Sequence, residues 1–154
     1  MTPVIRRLGP GDEAVLARLA ADDADFDLDT RGAPLAPLGP AAAQRYLANP
    51  AVLHWAAVEA HDVVGHMYCL LVPLRSGVGQ ELLLYEIGVR QAWRRRGVGR
   101  ALLAHMHDWM QTNGVAEVWV CADNQVAVAF YQACGLAVED EQPIYMTQQL
   151  GGID

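Results

Sequence analysis

The sequence predicts a mixed α/β fold, a central and mostly antiparallel twisted sheet flanked by about four helices. Two observations carry this. Between residues 51 and 89 three short apolar stretches follow one another with only turn signals between them, as strands of a meander do, whereas on both sides of that block apolar residues recur at helical spacing. A chain of 154 residues is the size of one ordinary domain, so a single domain over residues 1–154 is expected.

The elements follow in order. "TPVIRRL" at 2–8 reads as a short strand closed by the turn "GPGD". Asp12 then caps a helix to about residue 22, with Val15, Leu16 and Leu19 on one face. Pro40 at a first turn and "ANP" at 48–50 bracket a second short helix, and the Asp-, Pro- and Gly-rich segment 22–39 between the two helices is a loop by composition. "AVLHWAAVEA" (51–60), "VVGHMYCLLVP" (63–73) and "ELLLYEIGV" (81–89) are the meander strands, joined at "HD" and "LRSGVGQ". From Gly97 the period becomes helical through Leu102, Leu103, Met106 and Met110, and "NG" at 113–114 ends it. "VAEVWVCA" (115–122) is expected as a buried strand, "NQVAVAFYQAC" as a helix ended by Gly135, and "PIYMTQQL" (143–150) as a last strand.

Composition narrows the function. An apolar fraction of 53% with 19% charged residues belongs to a globular chain, and the formal net charge of -7 argues against a nucleic-acid partner, which needs a broad basic face. No signal-peptide h-region and no run of about 18 apolar residues is present, so a cytoplasmic location without membrane contact is expected. Cys69, Cys121 and Cys134 have no metal-ligand spacing and read as reduced, buried thiols, and no metal site is expected.

Against that acidity, Arg94, Arg95, Arg96 and Arg100 crowd one short stretch, and the chain has no lysine at all. Arg94, Gly97 and Gly99 form R-x-x-G-x-G directly after a strand and before a helix. Glycines there let the backbone turn tightly, and the unpaired N–H groups of the helix start suit a phosphate. No G-K-[ST] follows, which excludes a P-loop, and the spacing of a dinucleotide fingerprint is missing. About 25 residues beyond Gly99 stands "NQVAVAFYQACGL", in which Asn124, Ala127, Tyr131 and Gly135 give N-x-x-A-x-x-x-Y-x-x-x-G.

With both motifs at this separation the sequence resembles the GNAT superfamily of acyl-CoA-dependent N-acetyltransferases, departing only in Gln91, often proline, and Leu136, usually phenylalanine. The resemblance implies the GNAT fold and acetyl-CoA as co-substrate. It implies that the backbone around Arg94, Arg95, Arg96, Gly97, Val98, Gly99 and Arg100 cradles the pyrophosphate. Ile87, Gly88 and Val89 would meet the pantetheine arm, Asn124 and Ala127 the rest of the chain, and Tyr131 the sulfur. A phenol suits the chemistry independently, because a leaving thiolate gains from a proton donor. Tyr131 as a plain helix-face aromatic and Asn124 as a plain N-cap are the competing readings.

An attacking amine must also lose a proton. Glu86 interrupts an apolar strand, where a carboxylate is costly unless paired or solvated, so it either lines a cleft or faces water. Family members often carry an acid there, which makes Glu86 the first candidate for the base and His66 the reserve. His54, His61, His105 and His107 qualify on chemistry alone, His61 lying in a turn and His105 and His107 on the exposed side of a helix. Asp22, Asp23, Asp25, Asp27 and Asp29 form either a solvated tether or a field that recruits a cationic acceptor. "YLANP", "AAVEA", "LLVP" and "LYEIGV" look like the aminoglycoside 3-N-acetyltransferases of the GNAT type, with Glu86 where those carry aspartate. That likeness implies a small cationic amine as partner, with a homodimer as a family-level expectation. Acetylation of a protein N-terminus, a lysine or another small amine stays open, as does a non-catalytic acyl-CoA sensor.

Overall fold

The computed structural model describes residues 2–26 and 34–152, which fall into two compact units, 1–121 and 122–154. The first holds one five-stranded sheet in the order β1-β2-β3-β4-β5. β1 (Val4–Arg7), β2 (Val52–Glu59), β3 (Asp62–Pro73) and β4 (Gln80–Val89) are consecutively antiparallel, and β5 (Val118–Trp119) lies parallel to β4.

Strand alternation sorts the side chains to two faces. Leu53 and Trp55 of β2 and Gly65, Met67 and Cys69 of β3 turn to α4 (Val98–Asn113), where Val98, Leu102, Leu103 and Met106 form the buried stripe expected from their spacing. The helix lies close. A Cβ on Gly65 would stand 2.7 Å from Val98 Cγ1, and Cys69 Sγ is 3.9 Å from Met106 Sδ. Each such fully buried apolar side chain contributes about 2 kcal/mol over its exposed state. Gly114, left-handed at φ 67°, ends α4 as the "NG" signal predicts.

The opposite face carries α1 (Glu13–Ala21), α2 (Asp23–Phe26) and α3 (Pro40–Ala48), packed through Leu8, Leu19, Phe26, Leu47 and Ala56. Asp12 stands at the N-cap of α1, but its carboxylate accepts from the Arg6 guanidinium at 2.9 and 3.1 Å and from Gly9 N–H at 2.8 Å, not from the helix.

Four expectations need correction. Residues 23–26 of the supposed loop are helical, because Phe26 is buried and anchors them. The 115–122 strand shrinks to Val118–Trp119, and Trp119 remains 39% exposed. Residues 143–150 form no strand: among its described residues the second unit has no other strand to ladder with, and Ile144, Tyr145 and Met146 are all more than four-fifths exposed. Of the thiols only Cys69 is buried, which pushes its pKa up to about 12; Cys121 is exposed and Cys134 half-buried.

In the second unit α5 (Gln125–Ala133) starts at Asn124, whose Oδ1 accepts from Ala127 N–H at 2.8 Å. The N-cap reading of Asn124 therefore holds.

The β2–β3 hairpin turns on Ala60 (φ 48°) and His61 (φ 74°), two left-handed residues where glycine or asparagine is favoured. Replacing the pair by Asn-Gly should raise unfolding stability by about 1 kcal/mol in urea titration, since it removes left-handed strain from the tightest turn of the sheet.

Candidate active site

Opposite β3, Tyr68 pairs with Glu86 and Cys69 with Leu84, so Tyr85 is an extra residue and β4 bulges there. The bulge matters twice. It bends β4 away from β5, whose pairing is confined to Leu82 and Leu83, and it shifts the alternation so that Glu86 and Gly88 share a face with His66 and Tyr68. Because Arg90 N–H donates back to Val64 O at 2.9 Å, alternation turns the N–H groups of Ile87 and Val89 to the edge that β5 has left.

The arginine-glycine stretch follows a single 3₁₀ turn, Gln91–Trp93. Arg95 (φ 61°) and Gly97 (φ 82°) are left-handed on either side of Arg96. That curls the backbone into the first turn of α4, whose initial N–H groups have no partner within the helix. The arginines divide their work. Arg94 Nε donates to Val89 O at 3.1 Å and its terminal nitrogen reaches Asp25 O at 3.4 Å, so Arg94 ties the strand end to α2. Arg96 lies 4.0 Å over the Trp93 ring. Arg95, Arg96 and Arg100 are exposed, and Val98 is a buried core residue whose side chain faces the sheet.

On the α1–α3 face a polar and aromatic cluster surrounds Glu86. The Tyr46 ring is 5.6 Å from Tyr68, and Tyr68 is 5.4 Å from Tyr85. Tyr46 Oη is 2.8 Å from His54 Nδ1, and His54 Nε2 is 3.0 Å from His66 Nδ1. Phe26 meets the His66 ring edge-on at 5.0 Å, and a Cβ on Gly88 would come within 2.8 Å of Phe26 Cβ and 3.3 Å of His66 Nε2. Only glycine fits at 88.

Burial and charge set the protonation states. Glu86 is an exposed residue, yet desolvation by the surrounding protein raises its pKa, and the negative charge of Asp23 raises it further. Burial lowers His54 to about 3 and His66 to about 4, with the His66 ring and the Arg90 charge adding to the respective shifts. Burial raises Tyr46 and Tyr68, and the charge of Glu86 raises both further.

Several expected roles change. Asp22 and Asp25 are not a free acidic field: Arg90 donates to Asp22 at 3.0 Å and to Asp25 at 3.1 Å, and Arg18 also reaches Asp22 at 2.9 Å. Asp23 alone of the described aspartates in that run acts on Glu86, while Asp27 and Asp29 lie outside the described residues. His105 and His107 are half-buried, not exposed, because His105 packs edge-on against Trp55 at 5.8 Å. Tyr131 is 7% exposed on α5, with the Phe130 ring 5.4 Å away.

Sequence reasoning missed Arg90, Tyr46, Tyr68 and Tyr85. A signal existed for Tyr68, which stands two residues from His66 in one strand and hence on the same face.

A strand bulge thus stands beside an arginine-glycine helix start, and the chain belongs to the acetyltransferase (GNAT) family, whose model matches residues 20–136. It is 42% identical over 57 residues to the [ribosomal protein bS18]-alanine N-acetyltransferase of Escherichia coli K12, a match covering 36% of this chain and 38% of that protein. It is 34% identical over 99 residues to the N-alpha-acetyltransferase RimI of Mycobacterium tuberculosis, covering 64% and 61% of the two chains. The chain thus spans less than two thirds of either relative. A crystal structure of an aminoglycoside acetyltransferase from an uncultured soil metagenomic sample, in complex with sisomicin, superposes with TM-score 0.82 at 18% identity over 96% of this chain and 95% of that one. This likeness establishes the fold. Among the described residues no helix is long and apolar enough to cross a membrane, and no cluster of metal-ligating side chains occurs.

The shifted groups make opposite demands on stability. Glu86, with its pKa raised on folding, costs stability once ionised, so Glu86→Gln should be the more stable protein at pH 7 and equal to the unsubstituted one below the unfolded-state pKa of about 4.5. His54 and His66, with pKa values lowered on folding, contribute stability above about 6.5 that is lost as pH falls towards 4 and 3. Urea titrations from pH 4 to pH 8 check both, and a flat profile over that window in the unsubstituted protein and in Glu86→Gln alike would contradict the assignment.

Proposed function

We propose that this chain is an acetyl-CoA-dependent N-acetyltransferase that passes the acetyl group directly to a primary amine of a small cation, with an aminoglycoside as the leading acceptor. The observation that carries the reading is the bulge at Tyr85, which sets Glu86 on one face with Tyr68, in ring contact with Tyr46 and Tyr85, beside the outward N–H groups of Ile87 and Val89. Tyrosine faces next to a carboxylate suit an ammonium group. The residues present also fit the co-substrate: the turn with left-handed Arg95 and Gly97 offers backbone N–H groups and exposed guanidiniums to a pyrophosphate.

In this reading Glu86, with its raised pKa, accepts a proton from the substrate ammonium. An N–H group of the β4 edge stabilises negative charge on the carbonyl oxygen as the amine adds, and Tyr131 donates a proton to the departing sulfur. A second reading, acetylation of a protein N-terminal amine, draws support from the relatives named for that activity.

A thiol-release assay with acetyl-CoA separates the two readings when aminoglycosides, polyamines and alanine-initiated peptides are compared as acceptors. Glu86→Gln should lower kcat by about 100-fold, and Tyr131→Phe should lower kcat by about tenfold or more with little change in acetyl-CoA affinity. Turnover of peptides alone would replace the aminoglycoside by a protein terminus, and an unchanged kcat for Tyr131→Phe would remove it as the acid.

A further inference from the structure

Tyr46, His54 and His66 lie in one hydrogen-bonded row that crosses from α3 over β2 to β3, and the reaction steps assigned above use none of them. Such a row is costly inside a small fold, since two buried imidazoles and a half-buried phenol exchange hydration for hydrogen bonds to one another. Among the described residues no buried side-chain nitrogen or oxygen lacks a partner, so the row is satisfied as built.

Its geometry admits two proton orders. With both imidazoles neutral, each must carry its proton on one nitrogen and accept on the other. In the first order Tyr46 Oη–H donates to His54 Nδ1, His54 Nε2–H donates to His66 Nδ1, and His66 keeps a proton on Nε2. In the second every proton has moved one place: His66 Nδ1–H donates to His54 Nε2, His54 Nδ1–H donates to Tyr46 Oη, and the phenol proton points outward. Passing from the first to the second takes one proton in at Tyr46 and puts one out at His66 Nε2, with no ring needing to turn.

We propose that Tyr46, His54 and His66 are a proton relay that drains the proton collected at Glu86 across the sheet to His66 Nε2. The inference rests on the acetyltransferase reading. Acetylating a substrate ammonium removes two protons from nitrogen; one ends on the thiol, and the other must leave the cleft each turnover. The relay returns Glu86 to the carboxylate in four moves. The Glu86 carboxyl proton passes to Tyr46 Oη, the phenol proton to His54 Nδ1, the His54 Nε2 proton to His66 Nδ1, and the His66 Nε2 proton to water. His66 Nε2 is the outlet while the acceptor fills the cleft. When the product has left, the phenol proton of Tyr46 goes to solvent on the cleft side and His66 Nε2 takes one back from water. The row thus takes the proton off Glu86 during the reaction, releases it finally at Tyr46, and returns to the first order.

The surroundings differ at the two ends of the row. At the entrance Tyr46 packs against Tyr68, which sits opposite Glu86 in the β3–β4 register. Asp23 adds negative charge on the Glu86 side. At the exit His66 faces Phe26 and the glycine at 88, and the Arg90 guanidinium, lying 4.5 Å over the Phe26 ring, opposes a charge settling on that imidazole. An extra proton is thus disfavoured from resting on His66, which keeps the row neutral.

Tyr46→Phe cuts the entrance while keeping the ring. In the relay it lowers kcat by about tenfold with the acetyl-CoA KM unchanged, and it converts a curved proton inventory in H2O–D2O mixtures to a linear one. A merely structural role for the phenol would move stability and leave the inventory alone. Nitrogen-15 NMR of the histidines provides a readout besides activity: His54 and His66 should stay neutral between about pH 5 and 8 and show matched tautomers, both Nε2–H or both Nδ1–H. Either an unaltered kcat and inventory in Tyr46→Phe or a His54 that titrates within that range overturns the relay alone. No turnover of any amine by the unsubstituted protein overturns the acetyltransferase reading and the relay with it.

Discussion

The Arg90 side chain is the interaction on which the site depends. It leaves the end of β4, donates through Nε to Val63 O at 2.6 Å, divides its terminal nitrogens between Asp22 and Asp25, and covers the Phe26 ring at 4.5 Å. One guanidinium therefore joins β3, β4 and α2. The individual ion pairs are partly exposed and worth about 0–1 kcal/mol each, with the cation–π contact adding about 1 kcal/mol. Their importance lies in position, because a four-residue helix cannot hold itself and α2 is fixed only through Phe26, Asp22 and Asp25. Fixing α2 in turn sets Phe26 against Gly88 and the edge of His66.

The same contact changes how the charge of the molecule reads. Five aspartates within eight residues suggest a field directed at a cation, yet two of them neutralise Arg90, and Asp22 is held below the usual carboxylate range first by Arg90 and then by Arg18. Among the described residues of that run, the one acting on Glu86 is Asp23. Positive charge at the start of α4 is likewise thinner than the count of arginines implies, since Arg94 is spent on Val89 O and Asp25 O. Both ends of the cleft thus rely on a few well-placed groups and on backbone N–H.

Period and punctuation made most of the fold legible. The meander strands, α4 with its Gly114 stop, and α5 from Asn124 fall where alternation, helical spacing and caps put them. The failures have physical causes. Residues 23–26 read as a loop because aspartate disfavours helix interiors, and the packing of Phe26 overrides that propensity. Residues 143–150 have strand composition, but a strand is a pairing and sequence does not supply the partner. In the site, Glu86 and the arginine-glycine turn stood out by local pattern. Tyr46 and Arg90 did not, because each acts through a contact between elements that local pattern does not show, Tyr46 on His54 from helix to strand and Arg90 on Asp25 across 65 positions.

The titrating groups also explain why this face of the sheet is built of histidine and tyrosine where an apolar core would be more stable. Ionised Glu86 destabilises the fold as pH rises, and the neutral imidazoles destabilise it as pH falls, so the two penalties meet between about pH 4.5 and 6.5. Replacing His54 and His66 with leucines would relieve one penalty and leave the half-buried Tyr46 Oη without its nitrogen partner, a loss of about 1 kcal/mol. The row is thus stable only as a whole: Tyr46 needs His54, His54 needs His66, and the Phe26 ring, covered by Arg90, meets the last imidazole edge-on. Tyr46, His54 and His66 form their row on the face of the sheet that carries Glu86, and it is the bulge at Tyr85 that brings Glu86 to that face.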